Sequence, residues 1–342
     1  MEIILSKNAG FCPGVRRADE AVKKLISERG DDDLIFTLGP LIHNGSYISA
    51  LEKEGVCSID ITDIERLIDE NKSKNLTFVI RTHGIALKDD SFLSDIAKKN
   101  DRVRIVDMTC PSVKRIHKIA ESETNENTFF ILFGSKTHPE SVATISYARG
   151  SSAIISSEEE LLKLDLQGKT PILCAQTTGN LLQFIQIKKI LKKLYTNAIF
   201  FDTICNVTEN RQYEAIEIAK KADAMIVIGG RDSSNTQKLY ALCKEICPKT
   251  LCIETAAELS TDFPDSAKCA GITAGASTPD GIILEVFKAM ENFSQMLEGS
   301  LKTLHTGETV TGTVFTIGQN EIKLNLVLAD CENGTGNCFS CM

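Results

Sequence analysis

The sequence predicts an α/β protein built from three parallel-sheet lobes related by a pseudo-threefold axis. Apolar runs that are typical of buried strands alternate with stretches of helical periodicity, as in parallel α/β units. A strand, a cysteine and a helix follow one another three times, around Cys12, Cys110 and Cys205, which are 98 and 95 residues apart. Further strands recur in phase with each cysteine, so we interpret the pattern as a threefold repeat.

The first repeat shows how each cysteine is placed. Residues 3–5 form an apolar run that predicts a strand, and residues 14–28 carry apolar side chains at helical spacing. Pro13 suits the first position of that helix, where its missing N–H would be unpaired anyway. Cys12 is therefore expected at a helix N-terminus, where the dipole favours a thiolate and lowers the pKa of the thiol.

The later elements of each repeat also recur. An apolar strand ending in glycine and a polar loop falls within residues 35–44, 129–140 and 225–235. A short strand follows in each repeat, at residues 56–59, 153–156 and 250–253. A last strand with a second polar loop comes next, at residues 78–84, 172–180 and 271–280. These positions predict lobes at residues 1–100, 101–196 and 197–294, with a tail at 295–342. Because ligands bind outside the carboxyl ends of parallel strands, we expect the loops and cysteines to meet in one central cavity.

Composition excludes some classes of protein. The chain has 342 residues, 42% of them hydrophobic, and a net charge of −8. The negative charge argues against broad binding to nucleic acid or membrane surfaces. No apolar run approaches the roughly 20 residues of a membrane helix, and the N-terminus lacks a signal-peptide pattern. We expect a cytoplasmic location.

Twelve cysteines are many for a cytoplasmic protein, where disulfides are disfavoured and metal binding or catalysis gains weight. Three thiolates suit zinc or an iron–sulfur cluster, and their wide separation favours a bulky cluster on the axis. A [4Fe–4S] cluster held by three cysteines would leave one open iron, which can bind a substrate oxygen. We expect six other cysteines to be buried structural thiols, namely Cys57, Cys174, Cys243, Cys247, Cys252 and Cys269.

The polar loops suggest a phosphorylated ligand. Three histidines fall in these loops, together with hydroxyl and amide donors, and the helices that follow offer backbone N–H groups to phosphate. The donors are His43, His83, His138, Ser233, Ser234, Asn235 and Ser277. His117, in contrast, has the position of an ordinary helix-surface residue. Glu140 is a candidate proton donor, or else a solvated residue of a first helical turn, where the dipole would lower its pKa.

Eight motifs make a more specific resemblance, in order, between residue 2 and about residue 292. They are AGFCPGVRRA, LIHN, RTHG, DMTCP, HPE, QTT, SSN and TAGAST. Together they resemble the motif set of the 4-hydroxy-3-methylbut-2-enyl diphosphate reductase family, also called LytB. The resemblance implies three α/β lobes around a central [4Fe–4S] iron–sulfur cluster with three cysteine ligands and one open iron. The implied activity is reductive dehydroxylation of the allylic diphosphate to isopentenyl and dimethylallyl diphosphate, the last step of the non-mevalonate isoprenoid pathway.

The resemblance also implies residue roles. Cys12, Cys110 and Cys205 would hold the cluster. Five residues would grip the diphosphate, with Ser234 beside them: His43, His83, Ser233, Asn235 and Ser277. His138 would lie near the diphosphate and the proton path, Glu140 would donate the proton, and Thr177 would be its hydrogen-bonding partner. The family pattern has another residue at Pro13. A ferredoxin or flavodoxin is the implied electron donor.

Two other interpretations stay open at this point. A quinolinate synthase-like dehydratase would also use three lobes, three cysteines and a [4Fe–4S] cluster, but its dehydration needs no external electrons. Residues 304–326 alternate like a β-hairpin with its turn at 318–320, and they resemble the start of an S1 RNA-binding domain. An RNA-binding or ribosome-associated protein is therefore the second alternative. We expect the tail to be a fragment of such a domain and to be disordered.

Overall fold

The structure is a computed structural model that describes residues 1–166, 168–259, 263–264, 266–300, 311–317 and 322–327, with the backbone alone from residue 295 onward. Its strands are β1 (Glu2–Leu5), β2 (Asp33–Leu38), β3 (Val56–Ile59), β4 (Asn75–Ile80), β5 (Val103–Asp107), β6 (Thr128–Phe133), β7 (Ser151–Ile155), β8 (Thr170–Ala175), β9 (Ile199–Phe200), β10 (Ala224–Ile228), β11 (Thr250–Ile253), β12 (Cys269–Ala274), β13 (Thr311–Ile317) and β14 (Ile322–Val327).

Helices follow most of the strands. They are α1 (Pro13–Glu28), α2 (Gly45–Lys53), α3 (Ile64–Glu70), α4 (Leu87–Lys99), α5 (Pro111–Glu123), α6 (Pro139–Ile145), α7 (Glu158–Leu162), α8 (Leu181–Leu194), α9 (Asn206–Ala219), α10 (Ser234–Ile246) and α11 (Asp280–Ser300), with short 3₁₀ turns at Ile61–Asp63 and Ala256–Leu259. None of the helices in the described part of the chain has the length and apolar character needed to span a bilayer.

Three parallel four-stranded sheets, one for each lobe, confirm the predicted fold class. Their strand orders are β3-β2-β4-β5, β7-β6-β8-β9 and β11-β10-β12-β1. The three orders are equivalent. In each sheet the short strand of a repeat pairs with the first strand after the cysteine, and that strand pairs in turn with the last strand of the repeat. Each sheet ends on the strand that precedes the next cysteine.

This last pairing differs from the lobe boundaries that the sequence suggested. β5 pairs with β4 and β9 pairs with β8, although we placed boundaries at residues 100 and 196. β1 pairs with β12 and so completes the sheet of the third lobe. The ring of lobes is therefore closed by the first strand of the chain. Backbone hydrogen bonds between distant segments determine which lobe each of these strands joins. The local pattern of side chains does not indicate this pairing.

Apolar clusters cover both faces of each sheet, as the alternation of side chains along strands requires. In the first lobe, Val79 packs with α1, while its neighbours Phe78 and Ile80 pack on the other face with Leu93 of α4. The helix after each cysteine packs on the lobe that follows it: α1 on the first sheet, α5 on the second and α9 on the third. Each cysteine therefore lies at a junction between two lobes.

The C-terminal part differs from the prediction in one respect. α11 continues to Ser300, so the predicted boundary at 294/295 falls inside a helix. β13 and β14 pair antiparallel, in agreement with the predicted hairpin. The predicted turn at 318–320 and the cysteines at 331, 338 and 341 lie outside the described residues.

Candidate active site

The three cysteines of the repeat occupy equivalent positions. Cys12, Cys110 and Cys205 are the N-cap residues of α1, α5 and α9, and each is half-buried. The Sγ of Cys12 accepts a hydrogen bond of 3.4 Å from the backbone N–H of Val15. Pro13 occupies the first helical turn as expected, and Pro111 does so in α5.

The junctions bring the three thiols to one cavity. A methyl group built on Gly14 would lie 2.9 Å from the Sγ of Cys110 and 3.8 Å from the Sγ of Cys12, so glycine keeps this space free for the sulfurs. Ser112 Oγ on α5 donates to the Sγ of Cys205 at 3.8 Å. Burial, with the neighbouring Cys12 and Cys205 thiols, raises the pKa of Cys110, contrary to the lowering expected at a helix N-terminus.

These thiols suit a group larger than a single ion. Within the described residues, the three side chains whose donor atoms all lie within 4.8 Å of one another are histidines, not these cysteines. Burial disfavours the thiolate form of Cys110. A bound metal would supply positive charge that stabilises this thiolate, because a thiol that coordinates a metal loses its proton. The donor set therefore fits a cluster with one ligand from each lobe junction.

His43, His83 and His138 form a compact trio on the wall of the same cavity. Their ring centroids are separated by 4.5 Å (43 to 83), 5.2 Å (83 to 138) and 5.6 Å (43 to 138). Burial lowers the pKa of all three, well below the usual value for His83 and to about 3 for His138. The three rings are therefore neutral at pH 7 and offer N–H donors rather than positive charge.

The third lobe supplies hydroxyl and amide groups opposite the histidines. Ser277 Oγ lies 3.4 Å from Ser233 Oγ and donates to the backbone carbonyl of His43 at 3.3 Å. Ser234 Oγ lies 3.3 Å from Thr178 Oγ1 of the second lobe. The side-chain nitrogen of Asn235 is buried without a hydrogen-bond partner. The loops of all three lobes thus meet around donors suited to an anion.

Glu140 lies at the start of α6 and is only 1% exposed. Its Oε1 accepts a 2.5 Å hydrogen bond from the backbone N–H of Thr177, and its Oε2 accepts one of 2.7 Å from Thr177 Oγ1. Burial raises the pKa of Glu140 in spite of these hydrogen bonds, which lower it. Loss of hydration therefore outweighs the two hydrogen bonds from Thr177, and the carboxyl group is suited to carry a proton.

Two cationic residues near the site were not predicted. Arg211, six residues after Cys205 on α9, is buried and donates to the carbonyls of Ala274 at 2.9 Å and Gly10 at 2.8 Å. Burial lowers its pKa to about 10, against the opposing effect of the Cys12 thiol. It lines the cavity and links the loop after β1 to the end of β12. The sequence signal was weak, since a single arginine on an amphipathic helix is usually exposed.

The second is Lys238 on α10. Its ammonium group is buried without a hydrogen-bond partner, and burial lowers its pKa to about 8 while the charge of Glu140 acts to raise it. Its charge also contributes to the low pKa of His138. Lys238 is three residues after Asn235, so the two side chains share a face of α10. That spacing was the one signal that could have identified Lys238.

Two expectations were wrong. His117 is not an ordinary surface residue: it is 7% exposed and stacks on Tyr147 with 4.3 Å between centroids, because its face of α5 packs on the second lobe. Cys57 is exposed rather than buried, since β3 is an edge strand. Cys174, Cys243 and Cys247 are buried as predicted, whereas Cys252 and Cys269 are half-buried.

All twelve predicted site residues line this one cavity: Cys12, His43, His83, Cys110, His138, Glu140, Thr177, Cys205, Ser233, Ser234, Asn235 and Ser277. They come from all three repeats and are separated by up to 265 residues of chain. The architecture therefore brings together three thiols, neutral anion donors and a buried carboxyl group.

Comparison with known proteins agrees with this arrangement. The family model described as LytB protein matches residues 3–291. The 4-hydroxy-3-methylbut-2-enyl diphosphate reductase of Thermoanaerobacter sp. (strain X514) is 38% identical over 288 residues, 84% of this chain and 96% of that protein. The enzyme of the same name from Helicobacter pylori (strain Shi470) is 41% identical over 286 residues, 84% of this chain and 97% of its own length. That of Clostridium tetani (strain Massachusetts / E88) is 35% identical over 332 residues, 95% of this chain but 50% of that protein.

Solved structures are similar as well. The structure of (E)-4-hydroxy-3-methyl-but-2-enyl diphosphate reductase, the terminal enzyme of the non-mevalonate pathway, is 33% identical, with a TM-score of 0.58 over 85% of this chain and all of that one. The structure of the E-1-hydroxy-2-methyl-but-2-enyl-4-diphosphate reductase from Plasmodium falciparum is 25% identical, with a TM-score of 0.73 over 86% of this chain and 87% of that one. On the matched family model and these relatives, the chain belongs to the LytB protein family.

Proposed function

We propose that this chain reduces (E)-4-hydroxy-3-methylbut-2-enyl diphosphate to isopentenyl diphosphate and dimethylallyl diphosphate, the last step of the non-mevalonate route. One observation carries the proposal: three thiols, neutral anion donors and the buried Glu140 line the same cavity. Neither a quinolinate synthase-like dehydratase nor an RNA-binding protein is favoured by the family match or by the relatives.

We assign Cys12, Cys110 and Cys205 as the ligands of a [4Fe–4S] cluster. Their half-buried thiols face one space from three lobe junctions. Such a cluster, when bound, supplies electrons one at a time and a Lewis-acidic iron. Arg211 places a permanent positive charge beside these thiols, which offsets their charge when they are deprotonated.

The diphosphate is assigned to the histidine trio and the hydroxyl groups of the third lobe. His43 and His83 each have a buried ring nitrogen without a partner, and Asn235 has an unpartnered amide nitrogen. A buried donor without a partner costs free energy, so an anion that accepts these hydrogen bonds is stabilised. Ser233 and Ser277 complete the pocket at the start of α10 and before α11.

The reaction consumes two electrons and two protons: R–OH + 2e⁻ + 2H⁺ gives R–H and water. The C–O bond breaks as the oxygen takes a proton and leaves as water, and the second proton adds to carbon at either end of the allylic unit. Glu140, held neutral by burial, is the assigned donor of the first proton. Thr177 positions it through two hydrogen bonds, while His138 fixes the helix start by accepting the backbone N–H of Glu140 at 3.2 Å.

The two electrons require an external donor, which we assign to a small one-electron carrier protein such as a ferredoxin or flavodoxin. The substrate is a small-molecule diphosphate, and we propose that the enzyme works in the cytoplasm. The S1-like tail has no assigned role in this reaction.

An anaerobic preparation tests the proposal. We expect about four irons per chain and, with a chemically reduced electron carrier, conversion of the hydroxymethylbutenyl diphosphate to both isoprenyl diphosphates. Product analysis by mass spectrometry should show no conversion when the reductant is omitted. Zinc in place of iron, or turnover that needs no reductant, would overturn the assignment, the second outcome in favour of a dehydratase.

A further inference from the structure

Helix α8 differs in charge from the helices at the equivalent positions of the other two lobes. It follows the last strand of the second repeat, as α4 follows that of the first and α11 that of the third. The sequence of α8 has four lysines and no aspartate or glutamate. That of α4 has equal numbers of basic and acidic residues, and that of α11 has more acidic than basic ones. In a chain with a net charge of −8, the lysines of α8 therefore form a distinct local patch.

Three of these lysines share one face of α8 with an exposed apolar side chain. Lys188, Lys189 and Lys192 follow Ile185 by three, four and seven residues, which is the spacing of a single helix face. The four side chains line one groove together with Phe200 of the edge strand β9. Ile185 is exposed although it is large and apolar, and Phe200 is half-buried. The groove therefore combines apolar contact area with three ammonium groups.

The opposite face of α8 is packed against the turn that carries Cys205. Phe184 and Ile187 belong to one apolar cluster with Ile204, the residue before Cys205. The first backbone N–H of α8 also donates to Oε1 of Gln212 on α9 at 3.1 Å. Side-chain packing and this hydrogen bond therefore fix the position of α8 relative to Cys205.

The groove is also close to Cys205 along the chain. Lys188 Nζ forms an ion pair of 2.5 Å with Oδ1 of Asp202, which is three residues before Cys205. Three residues of fully extended chain span at most about 11 Å. Because electron transfer between proteins weakens steeply with distance, a carrier protein must dock on a face close to the iron ligands. The α8 face meets this requirement on the side of Cys205.

We infer that this groove, lined by Ile185, Lys188, Lys189, Lys192 and Phe200, is the docking surface for a small acidic one-electron carrier protein. The inference rests on the proposed function, which consumes two electrons from outside. Each carrier is oxidised by one electron, so two reduced carriers are used for each substrate. The lysines attract a negatively charged partner from a distance, and the apolar side chains give contact area once it arrives. Encounters of this type bury little area, so one helix face is sufficient.

The first experiment measures binding directly, with the full chain and its cluster under anaerobic conditions. The probe is an oxidised ferredoxin of strongly negative net charge, titrated in a calorimeter. We expect Lys189→Glu/Lys192→Glu, a double change of exposed side chains, to bind the ferredoxin about tenfold more weakly than the wild type. Lys98→Glu/Lys99→Glu, at the exposed end of the equivalent helix α4, is the matched control and should bind like the wild type. The wild-type affinity should also fall as salt is added, because salt screens exposed charges.

A second measurement separates docking from the reaction itself. With limiting reduced ferredoxin, the α8 double variant should turn over about tenfold more slowly than the wild type. With reduced methyl viologen, a small reductant that needs no protein surface, the two should turn over equally.

The contradicting outcomes are distinct. Equal ferredoxin affinity in the wild type and the α8 variant would overturn the docking surface and leave the proposed reduction intact. Unchanged ferredoxin binding with an altered sedimentation coefficient would also overturn it, in favour of a second copy of the chain on this face. Absence of wild-type turnover with methyl viologen would overturn the proposed function, and with it the inference that rests on that function.

Discussion

Glu140 and Thr177 are joined by two hydrogen bonds, both donated by Thr177, one from its backbone N–H and one from its hydroxyl group. The pair links the start of α6 to the loop after β8 in the same lobe. Two donors would ordinarily favour the carboxylate, yet burial raises the pKa of Glu140. The pair therefore fixes the position of the carboxyl group while burial keeps its proton.

Glu140→Gln should abolish turnover because the amide retains the shape and can still accept a hydrogen bond but has no acidic proton to deliver. We expect at least a hundredfold loss of kcat. Iron content and binding of inorganic pyrophosphate should remain at wild-type levels. Iron analysis, calorimetry and a product assay would check these three expectations, and a failure to incorporate iron would show that Glu140 is structural instead.

Lys238 should set the pH range over which Glu140 is protonated. A general acid loses activity as the pH rises through its pKa, and the positive charge of Lys238 lowers the pKa of Glu140. Lys238→Met removes that charge, so the pKa rises and the descending limb of the single-turnover rate should move to higher pH. Lys244→Met, an exposed lysine on the same helix, is the control. A limb that stays in place or moves to lower pH would contradict the coupling.

Each of the three junction cysteines should be needed for the iron centre. Cys12→Ser, Cys110→Ser and Cys205→Ser should each lower the iron content or replace the cluster by an incomplete one, because serine is a poor ligand for iron in such clusters. Cys57→Ser changes an exposed thiol far along the chain from any junction and should leave iron and activity unchanged. Iron and sulfide analysis with EPR spectroscopy would measure both. Full cluster in any junction variant would remove that residue from the ligand set.

Arg211 should stabilise the fold before any metal is bound. Arg211→Met leaves the carbonyls of Gly10 and Ala274 without their charged donor, at a cost of roughly 2–4 kcal/mol for two buried groups. Urea unfolding of the metal-free protein would measure this loss. Arg231→Met removes an exposed arginine of the same lobe, paired with Glu258, and should change stability little. Equal stabilities of the two variants would argue that the Arg211 contacts contribute nothing.

The C-terminal part should be dispensable for reduction. Because α11 runs to Ser300, the deletion is best placed after the helix, at residues 301–342, rather than at the boundary of 294 that the sequence suggested. We expect unchanged kcat and KM, since the residues assigned to the site lie between Cys12 and Ser277. A large loss of activity with intact folding would assign the tail a role in catalysis.

The threefold repeat and the parallel α/β class could be read from the sequence, and so could the twelve residues that line one cavity. Apolar runs, cysteines and polar loops at a common spacing are local signals, and the order of motifs around Cys12, Cys110 and Cys205 identifies the family. Periodicity indicates which segments are strands. Because ligands of parallel α/β sheets bind outside the carboxyl ends of the strands, the same pattern also indicates where a ligand lies.

Tertiary structure alone decided how these parts are joined. β1 completes the third sheet although it opens the first repeat, because strand pairing depends on backbone hydrogen bonds between distant segments. Burial of Lys238, Arg211 and His117 likewise depends on what packs against their helices, and charged residues on helices are exposed by default. The direction in which the pKa of Glu140 is shifted could not be known before its surroundings were, because loss of hydration is set by every neighbour at once.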